Sequence, residues 1–190
     1  MNQCNVLELS MPPDLGVQEG PSATILPEWY AVHVRSRHEF VVYHELRQKH
    51  IEVFLPSIEK ISQWKDRRKL VEYPLFPGYD FVHVLYHPEA FLSVLKSRGV
   101  VTFISLEPGR PTPVVPEEIA SLRLLIGSGK EIDIYPHLQK GTRVRVKSGP
   151  LKNAEGVLSI RENNHLFQVN VELLGRSVAV KISAEEIEAV

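Results

Sequence analysis

The chain has 190 residues, enough for one large domain or two small ones, and with 43% hydrophobic and 24% charged residues it can bury a core. Its formal net charge of -1 excludes a protein that holds nucleic acid through its overall field, so any such contact must come from a local patch. The single cysteine, Cys4, excludes an internal disulfide and a cysteine-built zinc site, and no apolar run approaches the ~20 residues that span a bilayer, so a reducing, cytoplasmic setting without membrane contact is expected.

Residues 1–26 mix Asn, Gln, Pro, Gly and Ser with scattered apolar residues and keep no steady period, which reads as a disordered leader. Residues 29–35 then alternate. Tyr30, Val32 and Val34 share one face and Ala31, His33 and Arg35 the other, as in a half-buried strand. Ser36 with Glu39 three residues on has the spacing of a capping box, and the helix it opens should run to about His50, with Val42 and Leu46 on its apolar side. A strand over residues 52–61 follows, in which Pro56 implies an edge or a kink. The tract Trp64-Lys65-Asp66-Arg67-Arg68-Lys69 is too polar for a core and reads as a solvated hairpin tip.

Phe76-Pro77-Gly78-Tyr79 has the residues a type II turn requires: proline presets φ at the second position, and glycine accepts positive φ at the third. The turn fixes two aromatics, which either close the core or stand ready as anchors for a partner groove. A strand over 79–85 leaves it, with Tyr79, Phe81 and His83 on one face and Asp80, Val82 and Val84 on the other. A short helix over 88–96, a strand over 100–106 and a third helix opened by Pro116-Glu117-Glu118 complete an alternating α/β pattern. Ile119, Leu122 and Ile126 mark the buried stripe of that third helix.

Gly127-Ser128-Gly129-Lys130 stops the helix, and a linker is expected over 128–140. Beyond it, short β-type segments at 142–147, 156–161, 166–173 and 177–182 are separated by turn residues, a pattern that favours a small β-barrel. The expected organisation is thus a leader (1–26), an N-terminal domain (27–127), a linker (128–140) and a C-terminal domain (141–190). No histidine spacing matches a metalloprotease helix, and no nucleophile elbow is present, so the residues point to a binding protein and not to an enzyme.

The order of these parts resembles the NusG family of transcription elongation factors over roughly residues 29–190. The resemblance is carried by Trp29-Tyr30, Leu75-Phe76-Pro77-Gly78-Tyr79, Arg98-Gly99-Val100, Gly149-Pro150-Leu151 with Gly156-Val157, and Leu174-Gly175-Arg176. The stretch His50-Ile51-Glu52-Val53-Phe54-Leu55-Pro56 and the basic tract before the turn look like specialised paralogues of the UpxY type and, more distantly, RfaH. The resemblance implies an α+β chain: an NGN α/β sandwich with an antiparallel sheet, then an SH3-like KOW β-barrel.

By the same resemblance the protein is a monomeric elongation or antitermination factor without cofactor, suppressing pausing or termination on selected operons. A housekeeping NusG-type factor and a ribosome- or RNA-binding KOW protein are the alternatives. Docking on the clamp helices of the largest RNA polymerase subunit falls to His33, Phe76, Pro77, Gly78 and Tyr79. Contact with the non-template DNA strand falls to Arg35, Arg37, His38, Lys49 and Arg98. Gly149, Pro150 and Gly156 match the KOW motif, whose domain is expected to recruit a small-subunit ribosomal protein or Rho. Where paralogues keep polar residues on the first helix, this chain has Val41 and Glu45.

Overall fold

The computed structural model describes residues 26–63, 68–136, 141–161 and 164–190; the leader up to residue 25 and Trp64, Lys65, Asp66 and Arg67 of the basic tract lie outside them. The N-terminal half is built on an antiparallel sheet of β1 (Glu28–Val34), β2 (Glu52–Phe54), β5 (Tyr79–Val84), β6 (Val100–Phe103) and β7 (Pro113–Val114). Its order is β2-β5-β1-β6, with β7 also pairing β1. β1 lies at the centre, and it is buried on both faces rather than one. Tyr30, Val32 and Val34 pack with Val42, Leu46, Val82, Val84 and Val94, whereas Trp29 and Ala31 pack with Phe81, Ile119, Leu122 and Leu125. The period-2 alternation is real, but it sorts residues between two cores instead of between core and water.

Helices α1 (Glu39–Gln48) and α2 (Pro88–Leu95) cover the first face, and α3 (Pro116–Gly127) covers the second. α3 starts at its proline with two glutamates in the first turn, as the sequence suggests, and buries Ile119, Leu122 and Leu125, with Ile126 only partly buried. Its Arg123 lies over the rings of Trp29 and Phe54 at 5.0 and 5.1 Å and reaches Glu52 at 3.2 Å, clasping the helix to the sheet. The capping box at Ser36 is not formed: α1 is capped at His38 without a side-chain bond, because Arg37 takes a left-handed conformation (φ 62°) that starts the helix later. Pro56 splits the expected long strand into β2 and β3 (Ser57–Gln63), and β3 pairs with β4 (Arg68–Pro74) as a separate hairpin.

The C-terminal half is a second antiparallel sheet formed by β8 (Ile132–Pro136), β9 (Thr142–Val146), β10 (Glu155–Arg161), β11 (Asn164–Val171), β12 (Arg176–Lys181) and β13 (Ile187–Ala189), in the order β13-β9-β10-β11-β12-β8. Residues 132–136, expected as linker, are therefore an edge strand of this sheet, with Val178 opposite Ile134 and Val180 opposite Ile132. Lys130, entering β8, reaches Glu186, leading into β13, at 3.6 Å, so the two ends of the sheet curl toward each other as in a barrel. Gly149 takes φ +80° in the turn after β9, whereas Gly156 answers a packing demand: a Cβ there would lie 2.9 Å from the Phe167 ring and closer still to the Gln168 carbonyl. Pro150 sits beside Gly149 in that turn.

The two halves share one continuous apolar cluster, running from Phe76 and Phe81 through Leu122 and Leu125 to Val144, Phe167 and Val169. α3 is the element between them. The Glu155 N–H donates to Ser121 Oγ at 3.0 Å and the Glu172 N–H donates to Glu118 Oε1 at 3.4 Å.

Candidate functional site

The Phe76–Tyr79 turn forms as its residues dictate. The Tyr79 N–H donates to the Phe76 carbonyl at 3.0 Å, and Gly78 takes φ +87°, a conformation that a side chain with Cβ resists. The turn is tied down on three sides: the Val34 N–H donates to Gly78 O at 2.9 Å, the Leu75 N–H to Pro56 O at 2.7 Å, and the Gly78 N–H to Glu39 Oε1 at 2.8 Å. Glu39, the first residue of α1, thus spends its carboxylate on the turn rather than on a capping box.

The five residues assigned to docking come together, in two environments. His33 pairs with Tyr79 across the β1–β5 ladder, their rings 5.6 Å apart, and Pro77 is exposed at the tip. Phe76 instead is fully buried, edge-on to Phe81 at 6.1 Å. Its side chain supports the turn from beneath, so of the two readings that the sequence leaves open for the aromatics Phe76 takes the core-closing one. Leu75 and Phe76 enter the turn both fully buried, in the apolar cluster that contains Phe81. Tyr79 is half-buried, and the guanidinium of Arg176, at the start of β12, lies over its ring at 5.6 Å. The C-terminal sheet therefore touches the turn.

Asp80 follows immediately and is fully buried, on the same face as Val82 and Val84, with no hydrogen-bond partner for either carboxylate oxygen among the described residues. Burial, with a smaller contribution from the charge of Glu39, raises its carboxyl to about 8. Glu118, at the contact between the halves, is raised to about 7: burial drives it up, the bond from the Glu172 N–H opposes, and the charges of Glu172 and Glu117 add to the rise.

The cations assigned to DNA converge on one rim. The Arg35 N–H donates to Gly99 O at 2.8 Å, and a Cβ on Gly99, whose φ is +103°, would sit 3.0 Å from His38 Cβ, so the 35–38 turn and the 97–99 loop are in contact. Arg35, Arg37 and Arg98 are exposed and form no ion pair among the described residues, and His38, half-buried, faces the Ser36 carbonyl at 3.0 Å. Lys49 differs. It pairs with Glu45 at 2.9 Å and donates to Ser97 Oγ at 2.7 Å, which removes it from the set of free cations. The sequence assigns none of Glu39, Asp80, Glu45 and Arg176 to a site, although a carboxylate between Tyr79 and Val82 on an apolar face is a visible signal.

The family model described as transcription termination factor nusG matches residues 27–123, more than half of the chain. A transcription termination/antitermination protein NusG of Staphylococcus aureus (strain Mu50) is 32% identical over 173 residues, covering 84% of this chain and 94% of that protein. The protein of the same name from Borreliella burgdorferi (strain B31) is 29% identical over 182 residues, covering 85% and 98%. Among solved structures, one titled "Domain interaction in Thermotoga maritima NusG" is 25% identical, covering 86% of this chain and 97% of that one, with a TM-score of 0.45. The chain belongs to the NusG family of transcription factors.

Proposed function

We propose that this protein is an elongation or antitermination factor of the specialised type, whose N-terminal domain docks on the clamp helices of the largest RNA polymerase subunit through the Phe76–Tyr79 turn. The observation that carries the reading is the turn itself: a backbone fixed by hydrogen bonds on three sides presents Pro77 and Tyr79, with His33 alongside, as a rigid edge. Rigid aromatic edges suit helix-in-groove recognition because little side-chain freedom is lost on binding. Arg35, Arg37, His38 and Arg98 form the second surface, which follows the non-template strand by pairing with phosphates and stacking on splayed bases. The barrel recruits a further protein, of the ribosomal-protein or Rho kind.

Because Arg176 covers the Tyr79 ring, docking requires the C-terminal sheet to withdraw from the turn. The experiment is a pull-down of the full chain with purified core RNA polymerase and, separately, with ribosomes. Retention on polymerase, strengthened by Arg176→Ala, is the expected result. Retention on ribosomes alone contradicts the reading.

A further inference from the structure

A carboxylate, Glu45, stands among the cations of the rim, and its geometry is specific. Glu45 Oε1 takes the Lys49 ammonium at 2.9 Å, and Glu45 Oε2 accepts the Arg98 backbone N–H at 3.0 Å. The ammonium also donates to Ser97 Oγ at 2.7 Å and to the Ser93 carbonyl at 3.4 Å, so each of its three N–H donors has a protein acceptor. Bonds from Lys49, Arg98 and Ser97 hold the Glu45 carboxyl below its ordinary value, against a smaller opposing effect of burial. One side chain of α1 thus does two things to its surroundings. It occupies the nearest lysine, and it fixes the backbone from which the Arg98 guanidinium projects.

An anion on a phosphate-binding surface lowers general affinity for DNA, since it cancels one cation and repels the backbone. What it leaves is a guanidinium whose base is anchored, suited to planar pairing and stacking in place of diffuse charge attraction. We propose that Glu45 is a positioning and selectivity residue of the non-template-strand surface: it withholds Lys49 from phosphate and sets Arg98 against the strand. This rests on the single-strand reading given above.

The test uses the full chain and elongation complexes assembled with and without a non-template strand. Affinity is measured over a series of salt concentrations, and the ratio between the two scaffolds reports the strand. Arg98→Ala should lower the ratio. Lys49→Ala should lower it much less than Arg98→Ala does, because an already paired ammonium releases no counterion. Glu45→Gln should raise the ratio at low salt and steepen its logarithmic salt dependence by about 0.7, the increment for one phosphate on a single strand. The double variant Glu45→Gln/Lys49→Ala should return both to the wild-type values.

Tighter binding that persists in the double variant, whose net charge equals that of the wild type, overturns the role of Glu45, since a released Lys49 cannot then be its cause. A loss in Lys49→Ala equal to that in Arg98→Ala overturns it too, and that comparison does not need a Glu45 variant to fold. A wild-type ratio of one at every salt concentration overturns the strand reading itself, and the Glu45 role with it.

Discussion

Replacing Asp80 with asparagine is expected to flatten the pH dependence of stability between about pH 4 and pH 8 and to stabilise the protein at neutral pH. The folded protein holds this carboxyl as the neutral acid up to about 8, with neither oxygen bonded among the described residues. The unfolded chain releases the proton near the ordinary carboxylate value, about 4. Over the interval between, the native state binds more protons than the unfolded state, so stability falls as pH rises, by about 1.4 kcal/mol per pH unit. At pH 7 the accumulated loss is about 4 kcal/mol, and relaxation around the ionised group makes this an upper value. Asp80→Asn keeps the shape and has no such proton. Urea unfolding of both proteins from pH 4 to pH 8 measures the difference, and parallel curves would contradict the account.

Phe76→Ala should cost about 3–5 kcal/mol of stability, as truncating a fully buried phenylalanine does when its surroundings cannot collapse. The ring packs edge-on to Phe81 within the cluster that continues through α3 into the C-terminal sheet, so the cavity opens inside that shared core. Denaturant titration gives the number. A loss below about 1 kcal/mol would mean that the ring is dispensable to the core. Polymerase affinity of this variant is informative only for its folded fraction, whereas Tyr79, half-buried on the outer side of the same turn, reports docking with less damage to the core.

The local signals read well from sequence. Pro77-Gly78 makes the turn, Pro116 opens α3, Pro56 ends β2, and the alternation through β1 matches the two cores on either side of the sheet. Other features depend on partners distant in the chain. Residues 132–136 form a strand because Val178 and Val180 lie opposite them, more than forty positions later, and no local composition announces that. Ser36 and Glu39 have capping-box spacing, yet Glu39 bonds the Gly78 N–H, a competitor nearly forty residues away. Lys49 looks like any exposed lysine until Glu45, Ser93 and Ser97 are placed around it. Asp80 is legible as a misfit on the face of Val82 and Val84, but its lack of a hydrogen-bond partner among the described residues emerges only from the packing.

The claim that the turn docks on RNA polymerase is tested most directly by titrating purified core enzyme with the labelled full chain, wild type against Tyr79→Ala, after unfolding curves have shown that the variant is folded. The account predicts binding weaker by about 2 kcal/mol or more, roughly 30-fold, as for an aromatic hot spot. A folded Tyr79→Ala protein that binds the polymerase as tightly as the wild type would contradict it.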